Sequence, residues 1–82
     1  MDSNAQGMIR YRILAGNYEQ AKNLARKAML RPTEWSYVYD RDRLLGLDGG
    51  VLLVTGTWQD RDDGFDCIQM AQTRRMRILY DD

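Results

Sequence analysis

Val51-Leu52-Leu53-Val54 is a run of four apolar residues with no polar interruption, and its reading decides the fold. A strand with one wet face alternates apolar and polar side chains; an unbroken apolar run marks a strand covered on both faces, the habit of parallel sheets flanked by helices. The run is bounded by turn residues, Asp48-Gly49-Gly50 before it and Thr55-Gly56-Thr57-Trp58 after it. The centre of the protein is therefore expected to be a strand with helices above and below.

Working outward, Asp40–Leu47 carries Leu44, Leu45 and Leu47 among charges and suits a short helical turn. Before it, Trp35–Tyr39 (WSYVY) is a β-prone aromatic strand. Upstream of Pro32, the period changes to that of a helix from Tyr18 to about Leu30, with Ala21, Leu24, Ala25 and Ala28 on one face. Pro32 is expected to stop it. Asn17 suits its N-cap, and Arg26, Lys27 and Arg31 collect at its C-terminal end, where the helix dipole favours cations. The first strand, Ile9–Ala15, alternates Ile9, Tyr11 and Ile13 with Arg10 and Arg12, as a half-buried strand does. Downstream of Trp58, the acidic loop Gln59–Gly64 leads into a second helix, Phe65–Arg75. Phe65, Ile68 and Ala71 line one face of it, and the carboxylates of Asp62, Asp63 and Asp66 stand at its start. Met76–Tyr80 is the last strand.

The order is β-α-β-(short helix)-β-α-β, an α/β domain over residues 8–82 preceded by a lead-in or tag remnant at residues 1–7. Three sheets accommodate it: a minimal Rossmann-like sheet ordered 2-1-3-4, a P-loop-like sheet ordered 2-3-1-4, and a ferredoxin-like α+β sandwich ordered 4-1-3-2. In all three, strands 1 and 3 are parallel neighbours and strand 2 is an edge.

Composition narrows function mainly by exclusion. The 82 residues contain no histidine, which removes the commonest general base and metal ligand. The single cysteine, Cys67, reads as a buried structural thiol. Formal net charge is zero, so nucleic acid is not an expected partner by electrostatics. Ten arginines against two lysines match the skew of a GC-rich genome. No apolar run reaches the roughly 20 residues that span a bilayer, and a cytoplasmic location is expected. Asp60, Asp62, Gly64 and Asp66 loosely imitate a calcium loop, but Ala71 stands where the bidentate Glu belongs. Neither metal nor cofactor is implied, and the expectation is a protein that is not an enzyme.

The segment Gly16–Asn23, between strand and helix, resembles a degenerate Walker A loop. Gly16 and Lys22 match, while Ala21 replaces the second glycine and Asn23 the Mg²⁺-binding hydroxyl. Because ligands of open α/β sheets settle beyond the carboxyl ends of strands, the candidate binding set is Gly16, Asn17, Tyr18 and Lys22 with Gly56, Thr57, Trp58 and Arg61. Trp58 is expected to offer a stacking face and Arg61 a cation. On the second strand, Trp35, Tyr37 and Tyr39 share a face, and this open edge is the candidate interface for a homo-oligomer.

The stretches ILAGNYEQAKNLA (residues 13–25), WSYVYDRDRLLGL (35–47) and VTGTWQDRDD (54–63) resemble a family of small proteins carried by phages of actinobacteria. Its distinguishing parts here are Ala15-Gly16-Asn17, Trp35, Leu44 with Gly46, and Gly56-Thr57-Trp58 with Arg61. The resemblance covers about residues 8–80 and brings no catalytic residues. It implies a small gene product with a Rossmann- or P-loop-like core inside a host cell. The leading expectation is a non-enzymatic interaction protein that binds a host or phage protein or itself; the alternative is a degenerate nucleotide-fold protein that binds a phosphate-bearing ligand or nucleic acid without hydrolysis.

Overall fold

The structure, a computed structural model, describes residues 10–81. The expected lead-in at residues 1–7 and Ile9 of the expected first strand lie outside the described residues. The elements in chain order are β1 (Tyr11–Leu14), α1 (Tyr18–Lys27), β2 (Trp35–Tyr37), a 3-10 turn (Arg41–Leu44), β3 (Val51–Val54), a second 3-10 turn (Trp58–Asp60), α2 (Gly64–Thr73) and β4 (Arg77–Tyr80).

The four strands form one sheet ordered β2-β1-β3-β4. Every pairing is parallel, with Tyr11 opposite Trp35 and Val51, and Val51 opposite Arg77. This is the minimal Rossmann-like arrangement. The P-loop-like order and the ferredoxin-like sandwich are both excluded, the latter because it requires antiparallel neighbours. The 3-10 turn shows why no hairpin joins β2 to β3: Leu44 is fully buried, so the connection crosses one face of the sheet.

The helices cover opposite faces. On the α1 side, Ile13 and Ala15 pack with Ala21, Leu24 and Ala25, with Trp35, Tyr37 and Leu53 alongside. On the α2 side, Leu14, Val38, Leu44, Leu52 and Val54 pack with Trp58, Cys67, Ile68 and Ala71. Leu52 and Leu53 thus belong to different cores, as the unbroken apolar run predicts. β1 departs from its half-buried expectation, since Ile13 and Leu14 are both fully buried. It is an interior strand, and its arginines reflect only the wetter amino end.

Both helices end earlier than the pattern predicts, and for one reason. After Lys27, Met29 adopts a left-handed φ of 59°, and its N–H donates to the Arg26 carbonyl while that of Leu30 donates to Ala25. After Thr73, Arg75 does the same at φ 60°, with bonds from Arg75 to Gln72 and from Met76 to Ala71. These are Schellman caps built without the usual glycine. Pro32 therefore follows the stop rather than causing it, and Ala28, expected on the buried face, is the exposed cap. Phe65 is likewise exposed, lying edge-on to Trp58 with ring centroids 5.0 Å apart.

Candidate functional site

The carboxyl ends of β1 and β3 lie side by side, and the Thr55 N–H donates to the Leu14 carbonyl at 2.9 Å. Beyond them, the Gly16 and Gly56 loops face each other across the crevice where this fold binds ligands. Four of the eight candidates, Gly16, Asn17, Gly56 and Thr57, meet here, and Gln20 holds them together. The N–H groups of Gly16 and Thr57 both donate to Gln20 Oε1, at 2.8 and 3.0 Å. Gln20 Nε2 donates to Thr57 Oγ1 at 3.1 Å. Asn17 caps α1 by accepting from the Gln20 N–H at 2.9 Å. Two amides that would point at a phosphate oxygen thus point at an internal carboxamide oxygen instead. A Cβ on Gly16 or Gly56 would run into Thr57 or Gln20, and Gly56 has φ +66°, so both glycines are required by the closeness of the loops.

The remaining four candidates turn away from the crevice. Tyr18 stacks on Trp35 at 6.0 Å and meets Tyr37 edge-on at 5.7 Å. Lys22 borders a hollow of about 190 Å³ with Tyr18 and Trp35, on the β2 side of α1. Trp58 is buried beneath the opposite face, against Phe65 and Tyr80, and offers the crevice no stacking surface.

Arg61 is committed within the chain. Its guanidinium donates to the carbonyls of Ala15 (3.0 Å), Val38 (2.7 Å) and Tyr39 (2.9 Å). It also makes a forked pair with Asp63 at 3.0 and 3.1 Å. It closes the ends of β1 and β2, where carbonyls have run out of sheet partners. Asp63, at the N-cap position of α2, makes no side-chain cap bond because its carboxylate faces Arg61. It also lies 3.8 Å from the Cys67 Sγ. Burial first, and then the Asp63 charge, pushes the Cys67 thiol up to about 11, which fits the inert structural thiol expected.

Of the expected interface aromatics, Trp35 and Tyr37 pack beside the α1 core, covered by Tyr18. Tyr39 has left the strand and lies beneath Arg43, 5.0 Å from ring centroid to guanidinium.

A hollow of about 580 Å³ lies at the opposite pole, between Arg10, Arg12 and the Gly46–Gly50 turn. Burial and the neighbouring Arg43 charge hold the Arg12 pKa below its ordinary value. Sequence reasoning missed Gln20, a common residue in a first helical turn whose partner is 37 positions away. It also missed Gly64, where a Cβ would collide with the Trp58 carbonyl. The signal for Gly64 was available: a glycine opening a helix, six residues after a tryptophan.

No family model, curated protein or solved structure matches the chain. Among the described residues, no helix is long and apolar enough to cross a membrane.

Proposed function

We propose that this chain is a small, non-enzymatic interaction protein of phage type, whose partner is a host or phage protein or a second copy of itself. One observation carries the proposal: the crevice that serves as the ligand site in this fold is closed by Gln20, which takes both inward-facing amides. The chemistry nearby supports it. The chain has no histidine, its one thiol has its pKa pushed up to about 11, and Lys22 faces away from the two loops. Calorimetric titration with ATP, GTP or inorganic phosphate is expected to give no binding heat. With Mg²⁺, neither nucleotide is expected to be hydrolysed above background. Turnover that disappears in Lys22→Ala would overturn the proposal.

The second reading, a degenerate nucleotide fold that binds a phosphate-bearing ligand without hydrolysis, is supported by the Arg10–Arg12 hollow rather than by the crevice. Phosphate binding lost in Arg12→Gln but retained in Gln20→Ala would favour it at that place.

A further inference from the structure

The two edges of the sheet are finished differently. At β2, the aromatic side chains are covered by Tyr18, and Arg61 takes the carbonyls of Val38 and Tyr39. At β4, the apolar side chains stay open: Leu79 is 45% exposed and Tyr80 56%. Proline or a bulge would blunt such an edge; β4 has neither, and its one charged residue, Arg77, stands at its start.

The hydrogen-bond direction of β4 is fixed. The Arg77 N–H donates to the Gly50 carbonyl and the Asp81 N–H to that of Val54, both at 2.8 Å. Residues 77, 79 and 81 therefore turn their backbone groups toward β3. Those of Ile78 and Tyr80 turn outward, where the sheet has no further strand among the described residues.

Arg77-Ile78-Leu79-Tyr80-Asp81 is its own antiparallel complement. Laid against a second copy with a two-fold axis at Leu79, it sets Arg77 opposite Asp81 twice, where the Asp81 carboxylate also accepts from Lys27 and Thr55 of its own chain. It also sets Ile78 opposite Tyr80 twice and Leu79 opposite itself. Ile78 and Tyr80, whose backbone groups face outward, become the hydrogen-bonded pairs. Leu79 and the Arg–Asp pairs become the non-hydrogen-bonded ones, whose Cα atoms approach to about 4.5 Å. The hydrogen-bond parity and the charge order select the same register. Moving one strand by two residues, the smallest step that keeps the parity, places Arg77 or Asp81 opposite Leu79.

We propose that the chain forms a two-fold homodimer by antiparallel pairing of β4 with β4, making one continuous eight-stranded sheet. The partner of the interaction protein is then a second copy, an assignment that rests on the proposed function and names its surface. The edge is not the aromatic one the sequence pointed to. Cross-strand opposite charges and aromatic–β-branched pairs stabilise such a ladder, and an isologous contact closes without leading to a filament.

Sedimentation equilibrium of the full chain, over micromolar to high-micromolar concentration, tests this. The expected mass is twice the 9.6 kDa of one chain. Leu79→Lys, which brings two cations together at the axis, should give a monomer with unchanged circular dichroism. Arg77→Asp, which sets two carboxylates opposite each other at each end of the ladder, should raise the dissociation constant about tenfold. Tyr37→Lys should leave the dimer intact. A wild-type monomer throughout would overturn the proposal, as would a dimer lost in Tyr37→Lys but kept in Leu79→Lys. Neither result bears on the assay for nucleotide turnover, so this proposal and the interaction reading fail separately.

Discussion

The carboxyl end of the sheet is closed twice, once on each face, by polar side chains of opposite character. On the α2 face, Arg61 brings a charge into a confined place, with its side chain 11% exposed, and satisfies three carbonyls and one carboxylate. On the α1 face, Gln20 uses a neutral carboxamide at the surface to join two loops. A buried charge is costly to strand, whereas an exposed amide can return its partners to water. The two closures use similar numbers of hydrogen bonds, yet one should be structurally indispensable and the other replaceable. Stability depends on what the partners do once the bonds are gone.

Arg61→Ala gives the largest expected loss, about 2–4 kcal/mol, because it leaves the half-buried Asp63 and the carbonyls of Ala15 and Val38 without their partner. For a domain whose total stability is on the order of 5–15 kcal/mol, that is a large share. Chemical denaturation of the variant should show it. Arg61→Lys should recover only part of the loss, since a single ammonium cannot span three carbonyls and a forked carboxylate. Cys67 reports the same change. The native thiol should resist alkylation at neutral pH, whereas the Arg61→Ala protein should react readily through transient opening.

Gly64→Ala comes next. Its Cβ meets the carbonyl of Trp58, a backbone atom with no rotamer to give, so the loop carrying Arg61 must shift. A loss of about 1–3 kcal/mol is expected, measurable as a lower melting temperature. On the opposite face, Gln20→Ala should cost only about 1 kcal/mol. A loss as large as that of Arg61→Ala would show that the α1 closure is equally indispensable and would end the contrast.

How much of this was legible in sequence follows the same physical line. Val51–Val54 announced a strand covered on both faces because burial on two sides leaves an uninterrupted apolar record. The sheet order stayed open among three, because it depends on where Leu44 packs, and a leucine among charges carries no direction. Asn17 was legible as a cap because its partner is three residues away. Gln20 and Arg61 were not, because most of what they bind are main-chain groups at strand ends, and main-chain groups leave no letter in the sequence. Trp58 was read as a ligand face because aromatic size says nothing about which way a side chain turns. The glycine-free Schellman caps were missed because Met29 and Arg75 adopt the left-handed region against type.

The smallest expected effect tests the α1 face by pH. Asp81 accepts from Lys27 Nζ at 3.0 Å and from Thr55 Oγ1 at 3.2 Å, joining the end of β4 to α1 and β3. The Lys27 hydrogen bond, helped by that of Thr55, lowers the Asp81 pKa below its ordinary 3.8. A carboxylate with a depressed folded pKa contributes stability that is fully present above its unfolded value and lost as pH falls through the folded one. The difference in melting temperature between wild type and Asp81→Asn should therefore be small and constant near neutrality. It should begin to shrink at about pH 4 and vanish in stronger acid. High salt should shrink it at every pH, because the pair is open to solvent. The Arg61–Asp63 pair, confined beneath the other face, should respond far less to salt. If Asp81→Asn and Asp63→Asn instead lost the same share of their effect in salt, burial would not be what separates the two ion pairs.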